Sequence, residues 1–592
     1  MSGNPNKLSR FWQELKRRRV VHVITVYASA AFVIIELFNN LSEPLNLPAN
    51  LTTIVVIVLA VGFPLVIILS WLYDMTSEGV EKTKPLSEIH EKEKPVIPNA
   101  WKIATYVSFV VIAGLVVFNI IGGTKQLRAG DIQSLVVLPF DNLTGNDQLE
   151  YFVSGMHASL IGDMGQLGGL RIISKTSSNT YKDVNMSIPE IASELGVDAV
   201  VEPTVMCLGD SICLMVRVIT PYPEEKQIWI GEYKEEKSQI LNLYNRITKQ
   251  IAEEVKIELT PDEERLLADG RRINTEAYDA YLQAQYYWDQ LGKESLHKAL
   301  EYNNIAIEKE PDWAPPYAGV AKVWAGLAQM GFESPEIAGP EIFEHLKKAI
   351  DLDPDYSDSH NTSAVIAVWT EWNWEKGEKE FLKALAINPN DAYSRIYYSH
   401  LLMILQRSDE ALTQGQLAVD LDPMNSLILA LFVVVLGDVN DYQAAYAYAE
   451  KAVAADPEND FAFHRLRCAS YDFGKYDKAF ECYKKENELT EEVNNSIDRI
   501  LKEQGRFAAY EEIVNQLELL AQNSYVAFWE PAYRYHQINQ YEKALDWIEK
   551  GFERHNPNMP YIATGATKLD QLYVHPRFIA ILEKMTLPLP ED

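Results

Sequence analysis

"AIEKEPDW" (306–313), "AIDLDPDY" (349–356), "ALAINPND" (384–391), "AVDLDPMN" (418–425) and "AVAADPEN" (452–459) are one phrase written five times. Their prolines fall at 311, 354, 389, 423 and 457, and the spacing settles from 43 and 35 to 34 and 34. Alanine followed five residues later by proline, at a 34-residue period, marks stacked helix pairs. No such pair buries its apolar face alone, so neighbours must cover one another.

This period is the tetratricopeptide signature. Ala299, Gly377, Ala411 and Ala445 stand seven residues before the phrase's first alanine, where small side chains let the two helices of a repeat approach closely. The first two units carry extra residues, notably "FESPEIAGPE" (332–341). Beyond 459 the period loosens. Ala479 and Tyr483 fit it, Glu491 replaces the proline, and "QYEKALDWIEKGFERHNPN" (540–558) fits the second helix of a further repeat. Leu569, Leu572, Phe578 and Leu582 in the last segment suit a cap over the final apolar face.

Counting from each proline assigns the concave wall of the regular repeats. Tyr393, Ile396, His400, Leu427, Val434, Phe461 and His464 fall there, an aromatic and aliphatic set suited to a protein or peptide segment. Packing between neighbouring repeats is the competing use of the same positions. Trp369, Trp372 and Trp374 in "VWTEWNWEKG" are expected to seal a helix–helix turn. The Lys/Asn pattern that clamps a terminal carboxylate is absent.

Upstream, residues 131–260 read β-α-β-α-β-β-β-α, one mixed-sheet α/β domain. "SLVVLPF" and "LRIISK" are strands, "SIPEIASELG" is a short helix with Ser187 as N-cap, and "DAVVEPTVM" with "ICLMVRVIT" flank a hairpin at "LGDS". A three-residue loop would set Cys207 opposite Cys213, near enough for a disulfide, whereas a two-residue turn would pair Cys207 with Ile212. "GDMGQLGGL" lacks the GxxxxGK[ST] pattern of a phosphate loop, and its glycines suit a helix cap and a turn. His157 has no Ser or Cys paired with it and reads as surface or packing. No GxSxG or HExxH occurs, and the four cysteines form no metal-ligand spacing. The expectation is therefore no catalytic site, no metal and no cofactor.

The first 123 residues hold apolar runs at 20–39, 51–73 and 103–121, each near the length that spans a bilayer. Six basic residues (Lys7, Arg10, Lys16, Arg17, Arg18, Arg19) precede the first run, none lies between the first two, and Lys82, Lys84, Lys92, Lys94 and Lys102 precede the third. That asymmetry predicts a cytoplasmic tail at 1–19, three transmembrane helices within 20–123, and everything beyond delivered outside the cytoplasm. A formal charge of −30 opposes nucleic-acid binding.

"SLVVLPFDNLTGNDQLEYFVSGM", "LRIISKTSSNTYKD", "IASELGVDAVVEPTV" and "IWIGEY" resemble the TolB amino-terminal-like domain of bacterial membrane proteins with tetratricopeptide repeats. "FWQELKRRRVVHVITVYASAAF" and "GFPLVIILSWLYDMTSEGVEKT" resemble the membrane segment of the same proteins, and "KLDQLYVHPRFIAILEKMTLPLP" resembles their ending. Relatives carry a class III cyclase or a winged-helix regulator ahead of that segment, and the 19 residues here leave no room for either. The resemblance implies a binding or assembly role.

The sequence thus reads as three transmembrane helices, a mixed-sheet α/β domain at 131–260, an α-helical tetratricopeptide solenoid at 274–560 and a cap at 561–592. The expected function is a non-enzymatic scaffold in a bacterial inner membrane, in contact with the lipid bilayer and with periplasmic domains that bind protein or peptide segments. The alternative is a transmembrane sensor acting through a separate cytoplasmic output protein.

Overall fold

The computed structural model describes residues 132–589, apart from short breaks at 147–148, 223, 269–271, 291, 331, 487–490, 522–527 and 568. Nearer the N-terminus it describes 73–76, 79–82 and scattered positions between 27 and 64. The chain divides into two compact units, Met1–Gly123 and Thr124–Asp592.

In the first unit, strands β1 (Tyr73–Thr76) and β2 (Gly79–Lys82) form an antiparallel hairpin with Tyr73 opposite Lys82. Tyr27 donates a 2.7 Å hydrogen bond to the Leu59 carbonyl, and its ring lies 5.6 Å from that of Phe63. Among the described residues no helix is long and apolar enough to cross a membrane. This corrects the expected three transmembrane helices and, with them, the multi-pass inner-membrane placement, its cytoplasmic N-terminus and its periplasmic C-terminal domains. Hydropathy records that a run is to be buried, not what buries it. At its one fully described end the second run passes into strand β1. Most of 20–39 and 51–73, all of 103–121, and the tail 1–19 lie outside the described residues.

The second unit begins with a six-stranded sheet. Strands β3 (Ser134–Val137), β4 (Asp141–Asn142), β5 (Arg171–Ile172), β6 (Ala199–Leu208), β7 (Ser211–Thr220) and β8 (Lys226–Glu236) take the order β5-β3-β6-β7-β8, with β4 paired to β6. β3 runs parallel to β5 and β6, and β6, β7 and β8 are antiparallel, so the sheet is mixed. One face packs against α1 (Glu150–Met164), with Phe152, Met156 and Leu160 fully buried. The other carries α2 (Lys175–Asn179) and α3 (Ile188–Leu195). α3 starts at a capping box between Ser187 and Glu190 and stops at Gly196, whose φ of 60° is the left-handed value a glycine cap supplies. Helix α4 (Ile240–Glu254) returns across the first face and α5 (Pro261–Leu266) leads out.

Sixteen helices then stack as eight pairs: α6 (Thr275–Trp288) with α7 (Lys293–Lys309), α8 (Ala314–Gln329) with α9 (Pro335–Leu352), α10 (Ser357–Trp369) with α11 (Trp374–Ile387), and α12 (Ala392–Ile404) with α13 (Ser408–Leu421). The rest are α14 (Ser426–Asp438) with α15 (Tyr442–Ala455), α16 (Asp460–Asp472) with α17 (Tyr476–Glu486), α18 (Glu491–Gln504) with α19 (Arg506–Ala521), and α20 (Trp529–Gln537) with α21 (Tyr541–Glu553). The repeated phrase acquires a mechanism here. Its proline ends the second helix of one pair, and two residues on Asp391, Asn425 and Asn459 cap the next through their side-chain oxygens. Between the helices of a pair a left-handed residue recurs at the repeat period: Trp372, Gln406, Asn440 and Gly474. Gly377 is required by close approach, since a Cβ there would lie 2.5 Å from Val368 Cγ2. The extra residues of the second unit lengthen α9. Three short 3-10 turns (Met559–Ala563, Gly565–Thr567, Asp570–Leu572) and α22 (Pro576–Lys584) complete the chain.

Candidate functional site: the concave wall and the turn edge of the repeats

The seven positions assigned to the concave wall fare differently. Tyr393 is 38% exposed, its hydroxyl accepting a 3.1 Å bond from Asn425 Nδ2. Ile396 is fully buried between helices. Leu427, Val434 and Phe461 are half-buried against the solenoid core. Arg465 sits 5.0 Å over the Phe461 ring. His464 stacks beside that ring, and its Nδ1 accepts a 2.7 Å bond from Arg467. Burial, with Arg465 and Arg467 close by, holds the His464 imidazole neutral well below its ordinary titration range. Arg467 in turn grips both carboxylate oxygens of Glu530 at 3.0 Å.

His400 is buried and already engaged. Its Nε2 lies 3.0 Å from the Leu431 carbonyl, which can only accept, so Nε2 carries the proton. Nδ1, at 2.9 Å, then accepts from the hydroxyl of Tyr561, and the Tyr561 oxygen accepts from Trp369 Nε1 at 3.1 Å. Three repeats and the C-terminal segment thus meet at one hydroxyl. Burial pushes the His400 pKa down to about 4.

Tyr561 belongs to the 3-10 turns after α21, and the whole segment lies on the wall. Met559, Ile562, Leu569 and Leu572 share one buried cluster with α12 and α14. The Gly565 amide donates to Asp438 at the end of α14 at 2.8 Å. Each expected turn-sealing tryptophan also touches this segment or the helix before it. Trp369 holds Tyr561, Trp372 stacks on His555 at 3.6 Å, and Trp374 Nε1 donates to the Met585 carbonyl at 3.1 Å. Sequence reading missed Tyr561 because it falls outside the 34-residue period, the only signal used to place groove residues.

The turns between repeats bind the sheet. Asn390 Oδ1 accepts from the Ile172 amide on β5, while its Nδ2 donates to the Gly165 and Leu167 carbonyls, all at 3.0 Å. Asp422 accepts from the Ser177 amide and hydroxyl at 3.0 and 2.6 Å, and burial raises its pKa. Arg171 donates to the Asp420 carbonyl at 2.7 Å. At the other end of the joint, Gly155 of α1 makes room for Leu282 of α6, and the Phe152, Tyr278 and Trp313 rings follow in series. The sheet and the first repeats therefore share one apolar core. No sequence pattern singled out Asn390 or Asp422, which sit inside the repeated phrases and look like ordinary turn residues.

Within the α/β part, His157 is buried with Nε2 2.9 Å from the Val137 carbonyl, a packing position. Cys207 faces Cys213 across the β6–β7 hairpin and the two form a disulfide, in the register of a three-residue loop. Among the described residues no group of three His, Cys, Asp or Glu could hold a metal ion.

Comparisons with known proteins place this chain near several others. No family model matches it. A stretch of 238 residues is 25% identical to "Putative adenylate cyclase 3" of Rhizobium meliloti (strain 1021), covering 40% of each protein. Another of 148 residues is 26% identical to "Transcriptional regulator HilA" of Salmonella typhimurium, covering 24% of this chain and 26% of the relative. The chain thus spans well under half the length of either relative. Among solved structures it is similar to YrrB, "a TPR protein with an unusual peptide-binding site", at 20% identity over 31% of this chain and 91% of that one, with a TM-score of 0.22. It is also similar to Pseudomonas aeruginosa pilF, at 16% identity over 40% and 96%, with a TM-score of 0.29.

Proposed function

We propose that this chain is a non-enzymatic scaffold whose tetratricopeptide repeats hold protein segments against their concave wall. The observation that carries the reading is that this wall already holds polypeptide. Residues 559–572 lie on α12 and α14, anchored through a tyrosine hydroxyl and buried apolar side chains. A surface that seats its own chain in this way has the chemistry for another: amphipathic rings, fixed polar groups and a dry floor. Tyr393, Leu427, Phe461 and His464 continue the wall and keep part of their surface.

The test replaces Tyr393 and Phe461 together with Glu and measures photo-crosslinking from a probe at position 427. Crosslinks to a protein partner are expected to fall while the helical signal and melting temperature hold. Loss of fold along with crosslinking would make these rings inter-repeat core, and unchanged crosslinking would remove the wall as the partner site.

A further inference from the structure

β8 is the longest strand of the sheet, eleven residues from Lys226 to Glu236, and it stands at one end of the strand order. Among the described residues no strand pairs with its outer edge. It contains no proline, and Ile230 within it is 45% exposed. A strand edge of this length presents a row of backbone donors and acceptors that templates pairing with another chain.

The strand's own charges identify that chain. In a two-fold pair whose axis stands normal to the sheet, opposite residues must lie on the same face. With the axis at Gly231 all eleven residues find partners: Trp229 meets Tyr233, Ile230 meets Glu232, Ile228 meets Lys234 and Lys226 meets Glu236. No like charges face each other. Moving the axis to Ile230 sets Lys226 against Lys234, and moving it to Glu232 sets that carboxylate against itself, arrangements that destabilise a pair. A bulge leaves Ile228 unpaired with β7, which matches Ile219 to Gln227 and Val218 to Trp229. However a second copy absorbs it, Lys226 meets Glu235 or Glu236. The axis would cross a bare backbone position, because Trp229 and Tyr233 lean over Gly231 and a Cβ there would lie 2.5 and 2.8 Å from them.

We propose that β8 pairs antiparallel with β8 of a second copy of this chain about Gly231, joining two sheets into one continuous sheet. The proposal does not depend on the concave wall.

Light scattering or mass photometry of the full chain in the micromolar range is expected to give twice the single-chain mass. Lys226→Glu sets carboxylates against Glu235 and Glu236 at both ends and should weaken the dimer by at least about fivefold. Adding Glu236→Lys to that variant should restore it. Ile230→Asp, placed against Glu232, should weaken it further, with circular dichroism reporting that each variant is folded. A monomeric wild type overturns the proposal. So does a dimer indifferent to Lys226→Glu and Ile230→Asp, which would form elsewhere or through another partner surface. Failure of the charge swap to restore the Lys226→Glu loss overturns the Gly231 register.

Discussion

The sheet has two edges, and they end in different chemistry. At β5, only two residues long, the repeat turns close the edge, with Asn390 taking the Ile172 amide and Asp422 holding α2 beside it. At β8, eleven residues run to the edge with charges of both signs and an exposed isoleucine. A short strand is completed by side-chain amides from another layer. A long one can be completed only by another strand or left to water. The contrast places the sheet's internal anchor on the side of the repeats and its free bonding capacity on the side away from β5.

Breaking the covered edge should have the largest effect. Asn390→Ala removes three hydrogen bonds and leaves the Ile172 amide with the Gly165 and Leu167 carbonyls in need of partners, a cost of about 3 kcal/mol. Hydrogen exchange at the Ile172 amide should speed up roughly a hundredfold while β7 amides keep their protection. Unchanged exchange at Ile172 would mean that packing, not Asn390, closes this edge.

Acid should loosen the covered side next. His157 links β3 to α2, through the Val137 carbonyl at 2.9 Å and the Ser178 hydroxyl at 3.3 Å, and burial lowers its pKa to about 4. His400 in the concave wall is lowered equally. A histidine whose folded pKa lies below its unfolded value near 6.5 binds more protons when unfolded, so its stabilisation is complete above about pH 6.5 and is lost as pH falls toward 4. Each contributes on the order of 3 kcal/mol at most. Urea midpoints measured through that window should fall, and His157→Gln or His400→Gln should each flatten the dependence. A flat wild-type profile would refute the buried neutral imidazoles.

How much of this was legible beforehand depended on whether a residue's role was local. The proline in each phrase and the Asp or Asn two residues later announce a helix stop and a helix start, and both act within a few residues of themselves. Ser187, Pro189 and Gly196 bound α3 by the same local logic. Asn390 looks like one more turn residue, and its three bonds reach residues more than 200 positions away in sequence. Tyr561 was invisible for a related reason, since the wall it occupies is built by α10, α12 and α14 while the period that locates the wall ends before it. The apolar runs near the N-terminus misled because hydropathy carries no direction. Tyr73 belongs to an apolar run, yet it opens a two-stranded hairpin.

A smaller effect is expected where the repeats hold the C-terminal segment. Tyr561→Phe keeps the ring but leaves His400 Nδ1 and Trp369 Nε1 without their partner, at a cost of about 2 kcal/mol. The melting transition should fall by a few degrees. Tryptophan fluorescence near Trp369 should shift, and the exchange pattern of the sheet should not change. If β5 amides lose protection as well, the wall and the turn edge are one cooperative element.

The smallest effect belongs to the open side. The Cys207–Cys213 bond closes a loop of only six residues of separation within a hairpin whose strands are already paired along ten residues each. Chain-entropy stabilisation grows with loop length, and here the hairpin's backbone ladder already restricts the same residues. Reduction or Cys207→Ser/Cys213→Ser should therefore cost no more than about 1 kcal/mol and leave Cys468 and Cys482 unaffected. Exchange at β7 amides near Ile212 should rise slightly, while Ile172 at the covered edge should not respond. A loss as large as that of Asn390→Ala would reverse the ranking of the two edges, making the hairpin rather than the repeat turns the sheet's main anchor.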